Sequence, residues 1–203
     1  MLSSCFTKQN EENKQKQDKP RELIPYNKGG KFGFCTSDKR VVYEPKYDEA
    51  KPFSENMSIV CLNEKYGFVD RLGREIVPVI YDEVKDFSEG FAAVKRNQKW
   101  GFVDETGKEV IPLEYVEAEN FSGGLAKVKR YDHVLMVIPV GKWGFINKRG
   151  KEVVPIKYIE VSNFYNEMAA VNDQGKWGFV DKKGNEVISP KYDHVFDFND
   201  RVL

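Results

Sequence analysis

The chain is poor in the residues from which most catalytic and metal sites are built. In 203 residues there are three cysteines, Cys5, Cys35 and Cys61, and two histidines. No cysteine has a close-spaced partner, so neither a zinc or iron–sulfur site nor a disulfide framework is expected. Lys plus Arg balance Asp plus Glu at 32 each, leaving no basic footprint for nucleic acid. No apolar run approaches the roughly 18 residues that a transmembrane helix needs. Hydrophobic residues are also scarce, at 40%, against 32% charged. What the chain has instead is aromatic residues, 13% of the total, which supply core area from few positions.

Those aromatics recur with a period. "KWGFVD" occurs at Lys99–Asp104 and Lys176–Asp181, with near-copies "KYGFVD" at Lys65–Asp70 and "KWGFIN" at Lys142–Asn147. The phrase glycines are Gly33, Gly67, Gly101, Gly144 and Gly178, spaced 34, 34, 43 and 34 apart. Each follows an aromatic (Phe32, Tyr66, Trp100, Trp143, Trp177) and precedes a Phe. Fourteen positions after each glycine stands a Tyr: Tyr47, Tyr81, Tyr115, Tyr158 and Tyr192. Six further on stands a Phe, from Phe53 to Phe198. The chain therefore carries five copies of one unit, with one nine-residue insertion.

Glycine and proline inside every unit oppose a helix, while Val, Ile, Phe and Trp favour strands. Asp70 to Gly73, Asp104 to Gly107 and Asp181 to Gly184 have the spacing of a type I turn followed by a left-handed Gly. Further polar turns, at Asn97–Lys99 and Asp173–Lys176, each lie between a pair of apolar runs. The expected fold is all-β: five three-stranded antiparallel meanders in an open, twisted, solenoid-like array over residues 23–203. A small five-bladed propeller is the alternative. The opening-strand pattern recurs at Leu23–Tyr26 and Val202–Leu203, which favours the open array. Within it, an aromatic ring of one unit is expected to pack over the bare phrase glycine of a neighbour.

"KWGFVDETGKEVIP" and "GKWGFVDKKGNEVIS" resemble the WG-containing repeat, or KWG repeat, of bacterial proteins. The resemblance implies a β-rich repeat array, often exported, with no defined molecular activity. The first copy departs from the pattern, with Phe32 for Trp, Lys39 at the turn-glycine position and Val41 for Glu, as a terminal cap would. On this reading Trp100, Gly101, Trp143, Gly144, Trp177, Gly178, Tyr81, Tyr115, Tyr158 and Tyr192 are structural.

Recurrent carboxylates make poor catalysts, because an active site is an asymmetric constellation. Glu75, Glu109, Glu152 and Glu186 share one slot and are read as solvent-facing strand residues; His194 falls in the repeat's own Tyr-Asp-x-Val slot. The chain is expected not to be an enzyme and to need no cofactor or metal. The feature that breaks the repeat is the insertion at about residues 131–139, whose Leu135, Met136, Val137 and Ile138 form an apolar run suited to a protein partner. Exposed aromatics would alternatively suit carbohydrate or a cell-envelope component. Residues 1–22 read as a polar, disordered tether. Leu2 to Cys5, "LSSC", resembles a bacterial lipobox, which would make Cys5 a lipidation site at the cell envelope if a signal peptide preceded Met1; otherwise a cytoplasmic protein is expected.

Overall fold

A computed structural model describes residues 23–131 and 141–195. The residue 1–22 tether, Cys5, and Leu135, Met136, Val137 and Ile138 of the insertion lie outside these residues. The first sheet holds β1 (Leu23–Lys28), β2 (Lys31–Thr36) and β3 (Val41–Tyr47). The second holds β4 (Glu49–Ala50), β5 (Met57–Leu62), β6 (Lys65–Asp70) and β7 (Glu75–Tyr81). The third holds β8 (Glu83–Val84), β9 (Phe91–Arg96), β10 (Lys99–Asp104) and β11 (Glu109–Tyr115). The fourth holds β12 (Glu117–Ala118), β13 (Leu125–Tyr131), β14 (Gly141–Asn147) and β15 (Glu152–Tyr158). The fifth holds β16 (Glu160–Val161), β17 (Met168–Asp173), β18 (Lys176–Asp181) and β19 (Glu186–Tyr192). All pairings are antiparallel between neighbours in sequence, so every unit contains the expected meander. Four of the five add a two-residue strand, drawn from the segment whose sequence reads as a connection.

Two turn chemistries set the strand lengths. Between β5 and β6, and again between β9 and β10, two-residue loops place Asn63–Glu64 and Asn97–Gln98 at positive φ, the backbone that tight hairpins require. The Asp-x-x-Gly turns close differently. Asp104 Oδ1 accepts the N–H groups of Thr106 and Lys108 at 2.9 and 3.1 Å, and Gly107 N–H donates to Asp104 O at 2.9 Å. Asp70, Asn147 and Asp181 repeat this arrangement. In the first unit Thr36 Oγ1 takes the role, accepting from Arg40 N–H at 3.1 Å, and Lys39 adopts φ 64° where the later units have Gly.

The core lies between the sheets rather than within them. Leu23, Phe34 and Tyr47 of the first sheet pack on Val60 and Val69 of the second. Phe68, Val77 and Tyr81 meet Val94 and Val103 of the third. Trp100, Phe102, Ile111 and Tyr115 meet Val128 and Ile146 of the fourth. Phe145, Val154 and Tyr158 meet Val171 and Val180 of the fifth. Each core joins sequence neighbours and none joins the first sheet to the fifth among the described residues, so the array is open and not a closed ring. A three- or four-stranded sheet cannot bury both faces alone, and stacking shares the burial between neighbours.

The phrase glycine serves a different contact from the one expected. A methyl group on Gly101 would sit 2.5 Å from Ile111 O and 2.8 Å from Pro112 C, both in the adjacent strand of the same sheet. The cause is a bulge: Trp100 faces Tyr115 and Phe102 faces Ile111, so three residues of β11 stand against Gly101 alone. The same shift recurs at Gly33, Gly67, Gly144 and Gly178. The nearest atoms to each of these glycines belong to the backbone of the unit's own third strand, not to a neighbouring ring. The contact between units is made instead by the turn glycines, since a methyl on Gly107 would meet Ile76 O of the preceding sheet at 2.0 Å.

Candidate functional site

Most repeated side chains are occupied by the architecture. Trp100, Trp143 and Trp177 stand opposite Tyr115, Tyr158 and Tyr192 across the bulged pair. Lys85 and Lys95 lie 5.6 Å from the Trp100 ring centre, and Lys127 and Lys129 lie 5.2 and 5.1 Å from that of Trp143. Trp100 is buried, and Trp143 and Trp177 are half-buried. The strand glutamates are exposed, as expected, and are used in packing the array. Glu152 pairs with Arg130 at 2.7 Å, and Glu186 takes bonds from Lys157 and Tyr158 OH of the previous sheet at 3.1 and 3.2 Å.

The tyrosines record how deeply the inter-sheet cores are buried. Burial, with the neighbouring Glu114 carboxylate adding to it, pushes the Tyr115 phenol up to about 12. Burial likewise raises Tyr81 and Tyr158. Folding therefore favours the neutral phenol. Its contribution is complete below about pH 10, where an unfolded tyrosine is also neutral, and is lost as pH rises towards 12. Unfolding free energy is expected to fall steeply above pH 10, and the slope is expected to lessen in Tyr115→Phe. Urea titrations from pH 8 to 12 measure both; equal slopes would contradict the assignment.

His194 is exposed, and its neighbour Asp193 is paired with Lys176. Cys35 and Cys61 are free and buried. Among the described residues no cluster of His, Cys, Asp and Glu has the arrangement of a metal site.

Among the described residues, the junctions between units depart from the repeat in two places. The first is at the β13–β14 end of the array. In the second unit Asp48 accepts from Lys31 Nζ of the first unit and from Asn63 N–H, and Asp82 does the same with Lys65 and Asn97 one unit on. These bonds hold both carboxyls below the usual range. The aspartate thus bolts the hairpin tip of one sheet to that of the next. In the next two units the slot holds Val116 and Ile159. Ile159 is 41% exposed and Tyr131 beside the insertion is 38% exposed, with Lys99 5.8 Å from the Tyr131 ring centre.

The second break lies at the other end of β13. Between the third and fourth units the connecting segments are clamped together. The Phe91 and Phe121 rings are 5.2 Å apart, Ser88 Oγ donates to Phe121 O at 2.8 Å, and Lys85 pairs with Glu119 at 2.5 Å. Gly123 and Gly124 N–H groups also donate to the Glu89 carboxylate at 2.6 and 3.0 Å. One unit further the clamp residues become Leu125 for Phe91, Ser162 against Glu119, and Gly123 for Glu89. A cleft of about 430 Å³ opens there, lined by Glu119, Asn120, Ser122, Leu125, Lys127, Phe145, Asn163 and Phe164. Sequence reasoning does not single out these residues, although Lys127 is visible as a lysine in the slot of Ile59, Ala93 and Ala170.

The profile of the WG containing repeat matches five segments, 32–66, 66–100, 100–132, 143–177 and 177–200. The chain belongs to the WG-containing repeat family. A full WG copy runs from one phrase aromatic to the next, so it supplies the last two strands of one sheet and the first two of the following sheet. Sequence repeat and structural unit are out of phase, and consecutive WG copies are interlocked by sharing sheets along the chain. No curated protein matches the chain. Among solved structures, Kluyveromyces lactis Hsv2 is 14% identical, with a TM-score of 0.38 over 83% of this chain and 59% of that one. A KlHsv2 variant with loop 6CD replaced by a Gly-Ser linker is also 14% identical, with a TM-score of 0.47 over 82% of this chain and 61% of that one. The chain thus spans less than two thirds of the length of either, and the likeness is distant.

Proposed function

We propose that this WG-repeat chain is a non-enzymatic scaffold that binds a protein partner through the β13–β14 end of the array, at its fourth and fifth units. The observation that supports it is the replacement of the bolting aspartate by Val116 and Ile159 in two consecutive units, beside exposed Tyr131. An array that elsewhere seals this edge with an ion pair presents apolar side chains here, and exposed apolar patches are what partners cover. The repeating carboxylates, occupied by turns and inter-strand pairs, offer no competing catalytic reading.

Ile159→Asp restores the repeat's own residue within reach of Lys142, the equivalent of Lys65. Stability is expected to change by no more than about 1 kcal/mol, as for surface ion pairs. Partner recovery in a pull-down from native extract is expected to be lost. Identical recovery by the parent and by Ile159→Asp would refute the assignment of this face.

A further inference from the structure

We infer that the cleft between the fourth and fifth units is a binding site for a small hydroxylated carboxylate, of the sugar-acid class. It lies at the opposite end of β13 from the proposed partner face and stands on separate observations. Its volume, about 430 Å³, falls within the range of about 300–1,000 Å³ typical of ligand pockets. Of the residues that clamp the same space at the preceding junction, Phe91, Lys85 and Glu89 are exchanged here for Leu125, Glu119 and Gly123, while the serine is kept as Ser122. Leu125 leaves out the ring that Phe91 supplies, and Ser122 makes no side-chain hydrogen bond among the described residues.

The chemistry of the lining selects the ligand. Lys127 replaces buried aliphatic residues of the sister units, Ile59, Ala93 and Ala170. It has no carboxylate partner among the described residues, and its ammonium lies over the Trp143 ring. Lys127 is half-buried and has no counter-charge, so it can receive an anion. The carboxylate of Glu119, also in the lining, is already neutralised by Lys85. Asn120 Oδ1 is buried and accepts no hydrogen bond, so it calls for a donor such as a hydroxyl. Ser122 and Asn163 add further polar groups at the rim, while Leu125, Phe145 and Phe164 form an apolar wall. A sugar acid carries all three complements: one carboxylate, several hydroxyls and a C–H face.

The repeat supplies its own controls, because Lys127→Ala and Leu125→Phe each install the residue found at the same slot of the third unit. Binding of sodium D-glucuronate to the full chain is followed by amide chemical-shift changes, with glucose and inorganic phosphate as comparisons. Glucuronate is expected to shift the Asn120, Lys127 and Asn163 amides, more strongly than glucose. Lys127→Ala is expected to weaken binding by roughly tenfold or more, the worth of a charge-assisted bond. Leu125→Phe is expected to abolish it, and Lys127→Met, which keeps the side-chain bulk, should match Lys127→Ala if the latter folds poorly. No shift at these amides, equal binding by either lysine variant, or an equal response to phosphate would overturn the inference.

Discussion

Trp100→Ala is expected to lower the unfolding free energy by about 3–5 kcal/mol, the usual loss for truncating a buried aromatic. The indole is 6% exposed and belongs to the core between the third and fourth sheets, with Tyr115, Phe121, Val128 and Ile146. Its removal opens a cavity at an interior junction of the array and strips the apolar surface beneath Lys85 and Lys95. Trp177→Ala, in the fifth unit where the indole is half-buried, is expected to cost clearly less. Urea denaturation of the two variants checks the order. If Trp100→Ala unfolds at the parent's midpoint, the tryptophan is not holding the units together and the architectural reading of the WG phrase fails.

The second large effect is expected from Gly107→Ala. Gly107 has φ 81°, a backbone that costs an alanine about 1–2 kcal/mol. The added methyl would also lie 2.0 Å from Ile76 O, a backbone atom of the preceding sheet that cannot rotate away. Forcing two packed sheets apart adds roughly 1–3 kcal/mol, giving about 2–5 kcal/mol in total. Gly90→Ala separates the two causes, since Gly90 has φ 84° and nothing within 4 Å of the added methyl. It is expected to cost only the conformational share. Equal losses in the two variants would mean that the Asp-x-x-Gly turn is a local device with no role in stacking.

The repeat makes much of this fold legible. The five-fold recurrence of aromatic-Gly-Phe and of Tyr and Phe at fixed offsets identifies the unit, and the alternation of turn residues with β-formers identifies its strands. Side-chain type also identifies what is structural: Asp70, Asp104 and Asp181 of the turns and Glu75 and Glu152 of the third strands lie where local hydrogen bonding wants them. The phrase glycine does mark a close approach, but its partner is not the neighbouring ring that the pattern suggests. The true partner, the bulged third strand, depends on a register shift that no local pattern announces, because Pro112, Leu113 and Glu114 read as ordinary strand residues. The two-residue strands β4, β8, β12 and β16 escape detection for a related reason: two residues carry too little periodicity to distinguish a strand from a connection.

The candidate sites are less legible. Val116 and Ile159 are conspicuous only once the aspartate of the other units is known to bridge two hairpin tips, a long-range bond with Lys31 or Lys65. The cleft is harder still, because it is a product of absences: a smaller side chain at Leu125, a hydroxyl at Ser122 left unbonded, and a glycine where Glu89 carries a carboxylate. The sequence alone determined the unit, its count, its class and the residues that build it, since those follow from periodicity and turn chemistry. Only the tertiary structure decided which strands form one sheet, that the cores lie between sheets, and where the array fails to close on itself. Those properties depend on contacts between residues a full period apart, and a residue's own neighbours in sequence carry no record of them.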